Sequence, residues 1–180
     1  MYSVETLNYL LALGTILLQV GTVGLLAAYF LRRSLPLAGA LVEKYAQWGI
    51  WKAFAISLLG SALTLFYSEV IGYPPCPLCW WQRIFLYPQV ALFTIALYTK
   101  DRTVALYSIA LSVLGAGVAL YQHLLQVLPS GSLPCPAQGE VSCAQRYIFE
   151  FGYITFPMMS LSLFVFLIVI MLLVRTKRSS

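Results

Sequence analysis

At 180 residues, with 61% hydrophobic and only 9% charged, the chain falls far below the roughly 25% charged content of a soluble domain and reads as an integral membrane protein. Its formal net charge of +5 is no nucleic-acid footprint, because membrane proteins concentrate Lys and Arg in the loops of one side. The length suits a single helical bundle and leaves no room for a separate soluble domain.

Five apolar segments are bracketed by charges. The first lies between Glu5 and Arg32 and exceeds the roughly 20 residues needed to cross a bilayer. No basic stretch precedes it, and Arg32-Arg33 follows it, so it reads as a permanent span rather than a cleaved signal. The second lies between Lys52 and Glu69 and can extend through Val70 and Ile71. The third runs from about Trp80 to Thr99, the fourth from Thr103 to about Gln122, and the fifth from about Phe151 to Val174, with Pro157 starting or kinking it.

Orientation follows from the loops. Arg32, Arg33, Lys44, Lys52, Lys100, Arg102, Arg175, Lys177 and Arg178 fall on one side if five spans alternate, and only Arg83 and Arg146 fall on the other. The positive-inside rule makes the basic side cytoplasmic, with the N-terminus outside and the C-terminus inside.

The same alternation places all four cysteines outside, where disulfides form and persist. Cys76 and Cys79 sit in a short turn, Cys135 and Cys143 in a longer loop opened by Pro129-Ser130-Gly131-Ser132-Leu133-Pro134. Beyond Cys143, the residues Tyr147, Ile148 and Phe151 read as the apolar face of a short interfacial helix. Four cysteines allow three pairings, and spacing alone does not choose among them.

The centre of interest is Cys76-Pro77-Leu78-Cys79-Trp80-Trp81-Gln82-Arg83. Proline has no N–H to lose at the first position of a helix, so Pro77 starts one and Cys76 sits beside its cap. A C-x-x-C pair at a helix N-terminus has lowered thiol pKa values. Cys76, Cys79 and Arg83 can share a helix face, giving a dithiol with a cation one turn deeper.

Plainer readings compete at each position. Cys76–Cys79 and Cys135–Cys143 can be structural staples, or the four thiols can hold zinc; covalent haem is disfavoured because Trp80, not His, follows Cys79. Arg83 can snorkel to headgroups, yet an ionisable residue at that depth is a functional candidate. His123, the single histidine, can be an interfacial anchor or a proton-transfer group. Trp80 and Trp81 stand where they can wall an acceptor pocket. Two dithiols on one face can exchange through a mixed disulfide.

The C-x-x-C-x-x-x-R run resembles the DsbB family of quinone-dependent membrane disulfide bond formation proteins. So do Tyr121-Gln122-His123-Leu124-Leu125-Gln126 and Cys143-Ala144-Gln145-Arg146 followed by Phe151-Gly152. The resemblance runs from about Lys52 to the C-terminus. Seven residues between Cys135 and Cys143 give a compact loop similar to the Gram-positive branch.

It implies an all-α membrane protein, a four-transmembrane-helix bundle of DsbB type plus one extra N-terminal helix. The expected divisions are an extra span over 1–31, a basic cytoplasmic linker over 32–52, and the redox domain over 53–180. The implied partners are a DsbA-like thioredoxin-fold thiol oxidase and a membrane quinone, ubiquinone or menaquinone, with no metal and no nucleic acid. The partner's thiol would attack Cys135, with Cys143 as its disulfide mate. Electrons would pass to Cys76 and Cys79, Cys79 facing a quinone held by Arg83, with His123 and Trp80 near it. The expected location is the bacterial plasma membrane, with the active site on the extracytoplasmic side.

The competing class is a non-catalytic membrane scaffold stapled by two structural disulfides. The vitamin K epoxide reductase group shares the dithiol–quinone logic, but its C-x-x-C follows the shuttle pair, the reverse of the order here.

Overall fold

The computed structural model describes residues 4–129, 134 and 141–176. They form α1 (Val4–Leu31), α2 (Pro36–Gln47), α3 (Gly49–Leu65), α4 (Pro77–Thr99), α5 (Val104–Val127) and α6 (Phe156–Thr176). The end of α3 widens into a π-helical turn, Phe66–Val70. No strand occurs among the described residues, only an isolated antiparallel bridge between Glu150 and Ile154.

α1, α3 with its π-helical turn, α5 and α6 are each long and apolar enough to cross a membrane. α4 matches them in length at 23 residues but buries Gln82, Arg83 and Gln89 and carries Pro88. Those residues dilute its hydropathy, and packing between α3 and α5 shields them. Gln89 shows how. Its amide donates to the Phe85 carbonyl at 3.0 Å and the Ser112 hydroxyl at 3.2 Å, while Ser108 donates to its Oε1 at 2.7 Å. Such polar pairs join helices where apolar burial gives no driving force.

α6 is the hub, in contact with α1, α2, α3 and α5. Its Phe164, Leu167, Ile170, Met171 and Val174 are all essentially inaccessible. The approach of α5 is close because Gly115 faces the Phe164 ring: a Cβ there would lie 2.5–2.7 Å from three ring atoms. Gly115→Val is accordingly expected to cost about 1–3 kcal/mol of overpacking. Thermal unfolding of the purified protein in detergent checks this, against Gly117→Val, where a Cβ meets nothing within 4 Å.

α1 docks by a stripe at alternating four- and three-residue steps: Asn8, Ala12, Thr15, Gln19 and Thr22, all buried except the partly buried Gln19. Small and polar residues are what membrane helix interfaces use. Tyr67 donates to Asn8 Oδ1, Gln19 donates to the Ser162 hydroxyl at 2.8 Å, and Tyr153 donates to Gln19 Oε1 at 2.8 Å.

One stretch gains structure that the sequence reading did not specify, and another differs from expectation. Within the basic segment 32–52, Pro36 starts α2, and its Ala38, Val42 and Ala46 pack inward. The residues after Cys143 form turns rather than an interfacial helix. Phe151 and Gly152 take positive φ values of 50° and 77°, which reverse the chain, and Glu150 and Ile154 then bond across the reversal. Ile148 and Ile154 pack into the protein, while Phe149 and Phe151 remain exposed.

Candidate functional site

Pro77 occupies the first turn of α4, and Cys76 is its N-cap in extended conformation, as the sequence indicates. The Cys76 sulfur accepts the Cys79 backbone N–H at 3.3 Å, and the two Sγ atoms lie 2.8 Å apart as thiols. The proline therefore fixes the helix start, and the start fixes the dithiol.

The pair is held from α5 by Gln122, which is buried. Its Nε2 donates to Cys76 Sγ at 3.1 Å and to Cys79 Sγ at 3.4 Å. Its Oε1 accepts from Gln82 Nε2 at 2.6 Å. One amide thus serves both sulfurs and is itself oriented by a second amide on α4.

Cys143 joins them. It is fully buried in one cluster with Cys76 and Leu78, and its thiol hydrogen-bonds that of Cys76. Gln126, one turn past Gln122 on α5, holds the loop by donating to the Gln145 carbonyl at 2.9 Å and the Cys143 carbonyl at 3.4 Å. Tyr121 donates to the Pro134 carbonyl. Cys135 itself lies outside the described residues.

The Cys76 thiol is pushed well above its usual range, first by its hydrogen bond with Cys79 and then by burial. This reverses the lowering that the helix N-terminus alone predicts for this member of the pair. Only the thiolate reacts with alkylating agents, so a raised pKa leaves less reactive form at any given pH. In the reduced protein Cys76 is expected to alkylate more slowly than a free thiol near about pH 8.5, with a rate still climbing above it. Mass-spectrometric time courses at several pH values check this, and Cys79→Ala should move the curve back toward neutral pH.

On the other flank of Cys79 lies a cavity of about 550 Å³. Cys79, Gln82 and Arg83 line it together with Tyr73 and Tyr147, and mostly apolar side chains of α1, α3 and α6 form much of the remaining wall, with Thr64, Tyr67 and Ser68 among the polar exceptions. Tyr73 and Tyr147 stack with centroids 4.6 Å apart and planes 14° from parallel. The Tyr147 phenol is pushed up by burial and then by the nearby Cys79 and Cys76.

Arg83 is 8% exposed. Its Nη2 donates to the Thr64 carbonyl at 2.9 Å, and its guanidinium lies 5.1 Å from the Trp80 ring centroid. Neither neighbour carries a full charge, so this buried cation retains capacity for an acceptor oxygen. An apolar cavity with a few convergent polar groups is the general form of a small-molecule site. The residues fit a quinone: apolar walls for ring and tail, and a cation with a sulfur at one end.

The structure thus brings Cys76, Cys79, Arg83 and Cys143 together. Trp80 touches the group through Arg83 but is half exposed and outside the cavity wall. His123 sits apart, its Nδ1 3.0 Å from the Thr155 hydroxyl at the start of α6. Sequence reasoning missed Gln122 and Gln82. The signal was there: Ser108, Ser112, Gly115, Ala119, Gln122 and Gln126 are all buried on one face of α5.

Comparison with known proteins identifies the family. The sequence model described as "Disulfide bond formation protein DsbB" matches residues 44–174. Disulfide bond formation protein C of Bacillus subtilis is 35% identical over 139 residues, covering 77% of this chain and 96% of that protein. The probable disulfide formation protein C of Halalkalibacterium halodurans is 39% identical, covering 70% and 90%. The SPbeta prophage-derived disulfide bond formation protein B of Bacillus subtilis is 39% identical, covering 69% and 85%. No solved structure gives a significant match. With the family sequence spanning α3 to α6 and every described cysteine, the chain belongs to the DsbB family of disulfide bond formation proteins.

Proposed function

We propose that this protein is a membrane thiol–disulfide oxidoreductase that reoxidises a DsbA-like, thioredoxin-fold thiol oxidase and passes the electrons to ubiquinone or menaquinone. One observation carries the reading: Cys76 contacts both Cys79 and Cys143, while Cys79 and Arg83 line an apolar cavity on the opposite side. A sulfur relay then runs from loop to cavity. The relatives' names supply the class of reaction.

In the working cycle both pairs begin as disulfides. The partner's thiolate attacks Cys135, forming a mixed disulfide and releasing Cys143 as thiolate. Cys143 attacks Cys76, and the Cys76–Cys79 bond breaks to release Cys79. The partner's second thiolate attacks the mixed disulfide and leaves oxidised, freeing Cys135. Cys135 then attacks Cys143, restoring the loop disulfide and leaving Cys76 and Cys79 reduced. A bound quinone supplies the sink for two electrons and two protons. Arg83 holds its carbonyl oxygen, Gln122 orients both sulfurs, and the apolar walls exclude water.

The cysteine end faces the extracytoplasmic side in this reading. Lys44 in the last turn of α2, Lys52 near the start of α3, Lys100 and Arg102 between α4 and α5, and Arg175 in the last turn of α6 belong to the opposite pole, where Gly49 of α3 meets Val174 of α6. With α4 spanning alongside the four more apolar helices, five spans result and the basic pole is cytoplasmic.

The test uses the purified full-length protein, a reduced thioredoxin-fold partner, and ubiquinone or menaquinone followed by absorbance. Steady quinone reduction is expected. Arg83→Ala should raise the KM for quinone about ten- to a hundredfold, the equivalent of one charge-assisted hydrogen bond. A wild-type protein that reduces neither quinone, with both cysteine pairs inert to thiol trapping, would overturn the proposal in favour of a stapled scaffold.

A further inference from the structure

α1 lies outside residues 44–174 that match the family, yet it builds part of the cavity. Leu10, Leu11, Gly14, Thr15, Leu17 and Leu18 all line it, opposite Ile56, Leu59 and Leu63 of α3 and Leu163 of α6. Leu10 to Leu18 covers about 12 Å of helix. This wall offers no polar handle: its one hydroxyl, on Thr15, is already donated to the Leu11 carbonyl at 2.8 Å.

α1 is pinned on both sides of that stretch. Asn8 is bonded to Tyr67, and Gln19 to Ser162 and Tyr153. At Gly14 an added Cβ would meet nothing within 4 Å, although the residue borders the cavity, so the missing side chain leaves open width. Leu10 and Leu17 are 55% and 66% exposed, so the cavity is open toward the surroundings along this flank.

We propose that α1 is the tail-binding wall of the acceptor site, with the isoprenoid tail of a prenylated quinone lying along Leu10–Leu18 and Gly14 setting the width of the slot. The polar end at Arg83 and Cys79 takes the ring. The α1 flank takes an apolar chain, and lateral opening lets that chain pass to and from the bilayer. The inference rests on the quinone reading of the same cavity and adds to it recognition of the tail by a helix beyond the family core.

The test is binding to the full-length protein in nanodiscs, read by quenching of tryptophan fluorescence. The probes are a prenylated quinone and a tail-less benzoquinone with the same head group. Gly14→Leu should weaken the prenylated probe about tenfold and leave the tail-less probe unchanged. Gly21→Leu, also in open space but away from the cavity, should change neither. A prenylated quinone with a photoreactive tail should label the Leu10–Leu18 peptide of the wild type.

Unchanged prenyl-quinone affinity in Gly14→Leu, or labelling confined to other helices, overturns the role of α1 while the acceptor site stands. Failure of both probes to bind the wild type removes the acceptor site and the inference together. Should Gly14→Leu prove misfolded, loss of tail-less binding will reveal it, and the labelling experiment then decides.

Discussion

Cys79→Ser is expected to oxidise one equivalent of reduced partner and then stop, with no quinone reduced. The variant retains the Cys135/Cys143 pair, so a single disulfide is available for exchange. Once the partner has taken it, Cys143 meets a Cys76 that carries a thiol rather than a disulfide, and the relay has no next bond to break. Stopped assays of partner oxidation against enzyme concentration should give a burst with a stoichiometry near one and a flat line after it. Sustained turnover would show that electrons leave by a route that avoids the cavity. The effect is large because the cavity touches only one of the two sulfurs: Cys79 lines it, whereas Cys76 does not.

Gln122→Leu ranks second in expected effect. Leucine matches glutamine in size but removes the donor to both sulfurs and the acceptor for Gln82. A hydrogen bond to a charged group is worth about 1.5–3 kcal/mol, and it favours the reduced, thiolate-bearing form of the couple. At about 30 mV per 1.4 kcal/mol for two electrons, its loss should lower the Cys76–Cys79 potential by about 30–60 mV. Equilibration with redox buffers of known potential measures the shift. Leaving the Gln82 amide buried without its acceptor adds about 1–3 kcal/mol of destabilisation, visible in thermal unfolding. A variant that loses stability but keeps its potential would reduce Gln122 to a packing residue.

The parts of this arrangement legible in the sequence are those set by strong local rules. Charges bracket the apolar runs, so α1, α3, α5 and α6 fall near their expected places, and Pro77 announces the start of α4. Ends were harder. α5 runs to Val127 rather than about Gln122, because Gln122 and the amide nitrogen of Gln126 find partners inside the bundle instead of water. Polarity marks a boundary only when a side chain has no such partner.

The same fact hid the site's organiser. His123 draws attention by its chemistry, yet it points to Thr155, and the neighbouring amide of Gln122 reaches the sulfurs. One residue along a helix is about 100° of rotation, and sequence composition does not say which of two adjacent polar residues faces inward. The chain reversal at Phe151 and Gly152 escaped for a related reason. Alternating apolar residues fit either a surface helix or a packed turn, and Gly152 decides for the turn by taking a positive φ.

The sealed contact between Cys76 and Cys143, 3% and 0% exposed, bears on how the protein coexists with its surroundings. In the proposed cycle, the burial of both sulfurs slows their attack by small dissolved thiols. On that reading, a macromolecular donor that engages the loop and draws Cys143 into exchange closes the junction by docking, an insulated contact that limits wasteful loss of oxidising equivalents.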